Sequence, residues 1–140
     1  MQQLLIALAL FVTAALAAQT GDTSAHKAIE VSVTNVTSEK GTVEFALYTE
    51  DGFLQEPFAM RSAAIVGKIS RVVFENVPAG EYAVVCFHDA NENRRMDFEL
   101  NGMPIENYGA SNNVYEMGPP VFDNSKFTHG NTDIKLEIKF

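Results

Sequence analysis

The run Glu81-Tyr82-Ala83-Val84-Val85-Cys86-Phe87-His88 constrains the fold more than any other stretch of the chain. In an extended backbone alternate side chains face opposite ways, so Tyr82, Val84, Cys86 and His88 share one face and Ala83, Val85 and Phe87 the other. Both faces are apolar, which places the strand inside a sheet rather than at a solvated edge. Such a strand needs partners, and the chain supplies them. Ile29, Val31 and Val33 alternate with Glu30, Ser32 and Thr34; after the turn Glu39-Lys40-Gly41, Val43, Phe45 and Leu47 alternate with Thr42, Glu44 and Ala46. At the other terminus Ile134, Leu136, Ile138 and Phe140 alternate with Asp133, Lys135, Glu137 and Lys139. Each pattern is that of a half-buried strand, and the short turn between the first two predicts an antiparallel pair.

Elsewhere the period is weaker. Ala64 to Ile69, and then Val72 with Phe74, read as two more short strands, and Val121-Phe122 as the start of another. Asp51-Gly52 and Pro57 make residues 49–62 a loop with one helical turn around Pro57 to Ser62. From Asp89 to about Pro120 the chain is rich in Asn, Gly and Pro. A loop of about thirty residues in a compact domain tends to be functional or disordered. Met96, Phe98, Met103, Tyr108 and Tyr115 argue for an ordered excursion. The expectation is an all-β, about seven-stranded antiparallel sandwich, immunoglobulin-like or transthyretin-like, with a long loop after the central strand.

The apolar run Leu4 to Ala15 ends in Ala15-Leu16-Ala17, a small-residue cleavage pattern, although Met1-Gln2-Gln3 carries no Lys or Arg. The run is shorter than the roughly 20 residues of a spanning helix. A signal peptide is therefore expected over residues 1–17, a flexible lead-in over 18–27 and a single domain over 28–140. No stable membrane anchor is expected after cleavage, and the address is periplasmic or secreted. Ten basic residues stand against 18 acidic ones, a net charge of −8, all beyond the leader. That argues against nucleic acid as a partner, because its phosphates need clustered Lys and Arg. Cys86 is the one cysteine, so no intramolecular disulfide is available and the core must hold the domain. Its place in an apolar run reads as a small buried hydrophobe. Asn35-Val36-Thr37 is a glycosylation sequon, relevant only in a eukaryotic secretory pathway.

The stretch after the central strand, Asp89-Ala90-Asn91-Glu92-Asn93-Arg94-Arg95-Met96-Asp97, spaces side-chain oxygens as D-x-N-x-N-x-x-x-D. A twelve-residue calcium loop uses side chains at positions 1, 3, 5 and 9, a carbonyl at 7 and a bidentate carboxylate at 12. Here those are Asp89, Asn91, Asn93 and Asp97, with the Arg95 carbonyl at position 7. Arg94 stands where Gly usually makes the sharp turn, and Leu100 at position 12 cannot coordinate. Glu99 or Glu106 could supply the missing carboxylate. Calcium is the one cofactor this spacing suggests; the alternative is a metal-free turn in which Asp and Asn hold backbone amides. His88, at the end of the strand, reads as a hydrogen-bonded rim residue that orients Asp89 or the loop. His26 and His129 have no ligand spacing. Cys86 and His88 are two apart on one strand face, roughly 7 Å, too far for direct proton transfer.

The run His88-Asp89-x-Asn91-x-Asn93-x-x-x-Asp97, then Gly102-x-Pro104-x-Glu106-x-Tyr108-Gly109-x-Ser111-Asn112-Asn113 and Gly118-x-Pro120, resembles the domain of unknown function 2141 family. Val77-Pro78-Ala79-Gly80-Glu81-Tyr82-Ala83 matches that family's approach to the loop, and the likeness covers about residues 28–140. The resemblance implies an exported bacterial β-sandwich with no established activity. It also implies that residues 102–113 form one rim surface with the Asp89 loop, where His88, Glu106, Tyr108, Asn112 and Asn113 would line a ligand site. The expected function is an exported binding or accessory module for a small molecule, glycan or protein. The alternatives are a hydrolase using His88 and nearby carboxylates, or a purely structural domain. No catalytic residue is assigned.

Overall fold

The computed structural model describes residues 27–140. The leader, the lead-in before Lys27 and His26 lie outside the described residues. Eight strands form two sheets: β1 Lys27–Val33, β2 Thr42–Tyr48, β3 Ala59–Ala64, β4 Ser70–Val77, β5 Gly80–Asp89, β6 Tyr108–Ala110, β7 Phe127–His129 and β8 Ile134–Ile138. One sheet runs β4-β1-β8; the other runs β3-β2-β5-β6, with β7 also paired to β5. The all-β sandwich expected from the alternation is what forms. Every pairing is antiparallel except β1 with β8, which run parallel with Val31 opposite Leu136.

The core is the sum of the alternating faces. Ile29, Val31 and Val33 of β1, Val43, Phe45 and Leu47 of β2, Phe74 of β4, Val84 and Cys86 of β5 and Ile138 of β8 are all essentially sealed from water. The central strand has partners on both flanks: β2 along Ala83 to Asp89, β6 along Val85 to Phe87, and β7 along Gly80 to Tyr82. Gly109 in β6 is required by packing, since a Cβ there would sit 2.6 Å from the Lys139 carbonyl oxygen and 2.7 Å from Ile138 Cγ2. Asn35, the sequon residue, has its amide committed to the chain terminus. Its Nδ2 donates to the Phe140 carbonyl at 2.8 Å, and its Oδ1 accepts the Phe140 N–H at 3.0 Å.

Three local expectations are corrected. Residues 59–64 form a strand and not a helical turn, paired along β2 with Arg61 opposite Phe45. Ala-Met-Arg-Ser-Ala-Ala lacks β-branched residues, so pairing overrides a weak local preference. Ala64 to Ile69 is not a strand of its own: Gly67 at φ +59° and Lys68 at φ +63° make a two-residue hairpin turn between Val66 and Ile69. Val121-Phe122 opens the one-turn helix α1 (Phe122–Ser125) and not a strand. Phe122 is buried there, its ring 5.5 Å from that of Phe53.

Candidate functional site

β5 delivers the site, since His88 and Asp89 are its last two residues. His88 lies opposite Val43 on the core side and is buried, with Nε2 2.7 Å from the Lys40 carbonyl oxygen. A carbonyl only accepts, so Nε2 carries the hydrogen and the ring is tied to the β1–β2 turn. The His88 N–H donates to the Asn107 carbonyl at 2.8 Å, which closes the base of the loop. Gly41 in the same turn, at φ +72°, passes so close that a Cβ would collide with the Asp89 carbonyl oxygen.

Asp89 is fully buried, and both its carboxylate oxygens accept backbone N–H groups: Asn93 at 3.1 Å and Arg94 at 2.7 Å. Asn91 Oδ1 accepts the Asn93 N–H at 3.3 Å, and Asn93 Oδ1 accepts the Arg95 N–H at 3.1 Å. The D-x-N-x-N run thus folds as overlapping turns closed by its own side chains. Arg94 has φ +62°, so it takes the left-handed conformation that Gly usually supplies at position 6. For a residue with a Cβ that costs about 1–2 kcal/mol.

The amide nitrogens of Asn91 and Asn93 donate to Asp97, at 2.6 and 2.9 Å. These bonds, with Arg95 nearby, hold the Asp97 carboxyl below its ordinary range. Glu106 returns from the far arm of the loop, and its Oε2 accepts the Asp97 N–H at 3.3 Å. Partial burial pushes the Glu106 carboxyl up, and the Asp97 and Asp89 charges push the same way, against bonds from the Asp97 and Ala90 N–H groups. Glu106 therefore stands beside the loop, whereas Leu100 projects fully into solvent.

Residues 97–105 make a small hairpin: Ile105 N–H donates to Asp97 O and Glu99 N–H to Met103 O, both at 2.8 Å. Between it and the Asp89 turn lies an open groove of about 410 Å³, lined by Ala90, Asn91, Asp97, Phe98, Ile105 and Glu106. Asp89, Asn91, Asn93, Arg95, Asp97 and Glu106 are thus brought together, with His88 beneath them. Tyr108 lies on the flank opposite Phe87, its hydroxyl donating to Gly118 O at 3.2 Å. Asn112 and Asn113 are placed elsewhere. The neighbouring Ser111 hydroxyl accepts the Val84 N–H, five residues back from Asp89, which is about 16 Å along the strand. Asn112 donates to the carbonyls of Asn124 (3.0 Å) and Lys126 (2.8 Å); Asn113 donates to Glu137 O and accepts the Lys139 N–H, both at 2.9 Å. Cys86 is sealed in the core and its thiol is pushed far up by burial, which keeps it protonated. Sequence reasoning does not reach Gly41 and Lys40, or Phe98 and Ile105 as groove walls. The walls carry no signal beyond being apolar residues in a polar loop, and Gly41 none until its neighbour across the sheet is known.

The carboxylates, amide oxygens and carbonyls of the loop are hard oxygen ligands, which suit a cation such as Ca²⁺ better than a transition metal. Among the described residues no group of three or more His, Cys, Asp or Glu side chains is arranged to hold a metal ion. A cation here would therefore rest on Asp97 and Glu106 together with Asn amide oxygens and backbone carbonyls. Asn91 and Asn93 would have to turn their amides, since both present N–H to Asp97. Among known proteins, no curated protein and no solved structure matches the chain. A family model does match, over residues 31–137, and by that match the chain belongs to the family described as "Uncharacterized protein conserved in bacteria (DUF2141)".

Proposed function

We propose that the chain is an exported binding or accessory module whose end loop is ordered by Ca²⁺. The ion would lie among Asp97, Glu106, the amide oxygens of Asn91 and Asn93 and the Arg95 carbonyl, beside the Asp89 carboxylate that holds the turn. It would serve as a structural charge that pins the loop, with no chemistry of its own. The observation that carries this reading is Arg94. A non-glycine residue held left-handed at position 6, with the Asp89 carboxylate on the amides of residues 93 and 94, gives the loop the turn that a calcium loop needs. Export rests on the leader-like residues 1–17. The partner of the module is a small molecule, a glycan or a protein. A hydrolase built on His88 has less support, because the imidazole is committed to Lys40 O.

Thermal melting in EDTA and in millimolar Ca²⁺ tests the reading. At ten times the dissociation constant the midpoint should rise by about 4–8 °C. The rise should vanish in Asp97→Ala and be smaller with Mg²⁺. No rise for the wild-type chain, or an equal rise for Asp97→Ala, would sink it.

A further inference from the structure

The outward face of the five-stranded sheet carries a carboxylate that the loop does not use. Glu44 of β2 lies between Ser62 of β3 and Phe87 of β5, and Phe87 in turn lies opposite Tyr108 of β6. Neighbouring strands are about 4.8 Å apart, so a hydroxyl, a carboxylate and two aromatic residues stand in one row of roughly 14 Å. Glu44 is only 6 % exposed, and the hydroxyls of Ser62 (2.6 Å) and Thr42 (3.0 Å) both donate to its Oε1. Its Oε2 has no donor, and among the described residues no Lys, Arg or His forms an ion pair with it. This oxygen is not sealed in: among the described residues, the one fully buried side-chain polar atom without a partner is His129 Nδ1. Buried charges are normally paired. Glu44 is a buried charge whose second oxygen meets the surface unpaired.

What is left at that oxygen fixes the chemistry of a ligand. The Ser62 and Thr42 hydrogens are committed to Oε1, so both hydroxyls have only lone pairs to offer. A sugar brings acceptors as well as donors and finds no donor in this group. An organic cation brings donors alone. A guanidinium fork needs two free carboxylate oxygens, and Oε1 is taken. A primary ammonium has three donors around a point charge, which suits one free oxygen flanked by two hydroxyls. Phe87 sets an aromatic ring beside that charge. Asp89, diagonal to Glu44 on the same face, adds a second negative charge, with roughly 7–8 Å between the backbones. In the next row Ala46 and Val85 lie between Met60 and Ala110, an apolar floor of the kind on which an alkyl stem rests. Val85 and Phe87 are only half-buried, although their strand is central.

We infer that this face binds a primary alkylammonium, with the charged head on Glu44 Oε2 beside the Phe87 ring and the alkyl stem along Ala46 and Val85. A free amine and a lysine side chain of a partner protein share that chemistry. The inference rests on the reading of the chain as a binding module and gives that module a ligand class; it needs no calcium.

The isotope-labelled full-length chain is titrated in EDTA with n-pentylammonium, and amide shifts are followed by NMR at residues 42–46, 60–62 and 85–87. Those amides should move, and n-pentanol at the same concentration should leave them in place. Glu44→Gln keeps an acceptor for the two hydroxyls and should weaken the titration by roughly tenfold. Phe87→Leu should weaken it by about threefold. Asp97→Asn, in the loop, should leave it unchanged, and Glu44→Gln should keep the calcium-induced rise in melting midpoint, so the two readings fail separately. Tighter binding of acetyl-Ala-Ala-Lys-Ala-Ala-amide than of n-pentylammonium assigns the site to a protein partner; the reverse order assigns it to a free amine. No movement of those amides, equal movement with n-pentanol or maltose, tighter binding of n-butylguanidinium, or an unchanged titration in Glu44→Gln would overturn the inference. Where a variant does not fold, the amide map of the wild-type chain with the amine and the alcohol still decides it.

Discussion

The two ends of β5 are held by different physics. At the Gly80 end, β7 covers the strand, Tyr82 packs edge-on against Phe58 and His129, and its hydroxyl donates to Pro78 O at 2.9 Å. The neighbouring rings of Tyr48, Phe53 and Phe122 stack in the same edge-to-face manner. Among the described residues, no aromatic pair packs at the Asp89 end. Order there comes from one buried carboxylate, two Asn amides and two further carboxylates, and apolar side chains are turned outward. An end held by ring packing and apolar burial gives an ion little to act on, whereas an end held by carboxylates depends on their charge.

The largest test of the contrast is in the shared core. Phe45→Ala, between the sheets, should cost about 3–5 kcal/mol in chemical denaturation and loosen both ends of β5 together. Calcium should not restore it. Asp89→Ala comes next, since it leaves the Asn93 and Arg94 amides without their acceptor; the loss should be about 2–3 kcal/mol. Hydrogen exchange should accelerate across residues 90–107 and leave the Gly80 end protected. Acceleration at both ends would break the distinction, because it would make Asp89 a keystone of the whole fold.

The same contrast explains what the sequence makes legible. The sandwich is readable because Ile29, Val43, Val84 and Ile138 repeat with the period of a strand, and burial follows that period. β3 is not, because Ala59 to Ala64 is defined by β2 alongside it and not by its own residues. At the site, the spacing of Asp89, Asn91, Asn93 and Asp97 is visible because the turn they close is local. Asn112 and Asn113 follow Glu106 by only a few residues, yet β6 carries them back along β5 and away from the loop. Nothing in a linear reading reports that reversal. Arg94 also misleads: a missing Gly suggests a missing turn, yet the Asp89 carboxylate holds the backbone left-handed regardless.

That strain gives the third prediction. Arg94→Gly removes the Cβ penalty but loosens the unfolded chain, so the net gain should be about 0.5–1 kcal/mol. If the loop takes Ca²⁺, the same change should tighten it. A loss of stability would mean that the arginine side chain makes a contribution larger than the strain.

The smallest effect is the most diagnostic, and it concerns Glu106. Its folded carboxyl titrates above its unfolded value, so its favourable contribution is complete below the unfolded value and is lost as pH rises through the folded one. Asp97 runs the other way. Its contribution is present above the unfolded value and fades as pH falls through its depressed one. Glu106→Gln removes the first dependence and leaves the second. In EDTA at pH 7 the variant should therefore melt slightly above the wild type, and the two curves should converge once the pH falls below the ordinary glutamate value of about 4.3. In Ca²⁺ the order should reverse, because the wild type alone has the second carboxylate. A variant that melts lower than the wild type in EDTA would show that the bond from the Asp97 N–H outweighs the burial and repulsion. Glu106 would then be a brace of the loop, and the charge-built end would be as self-sufficient as the aromatic one.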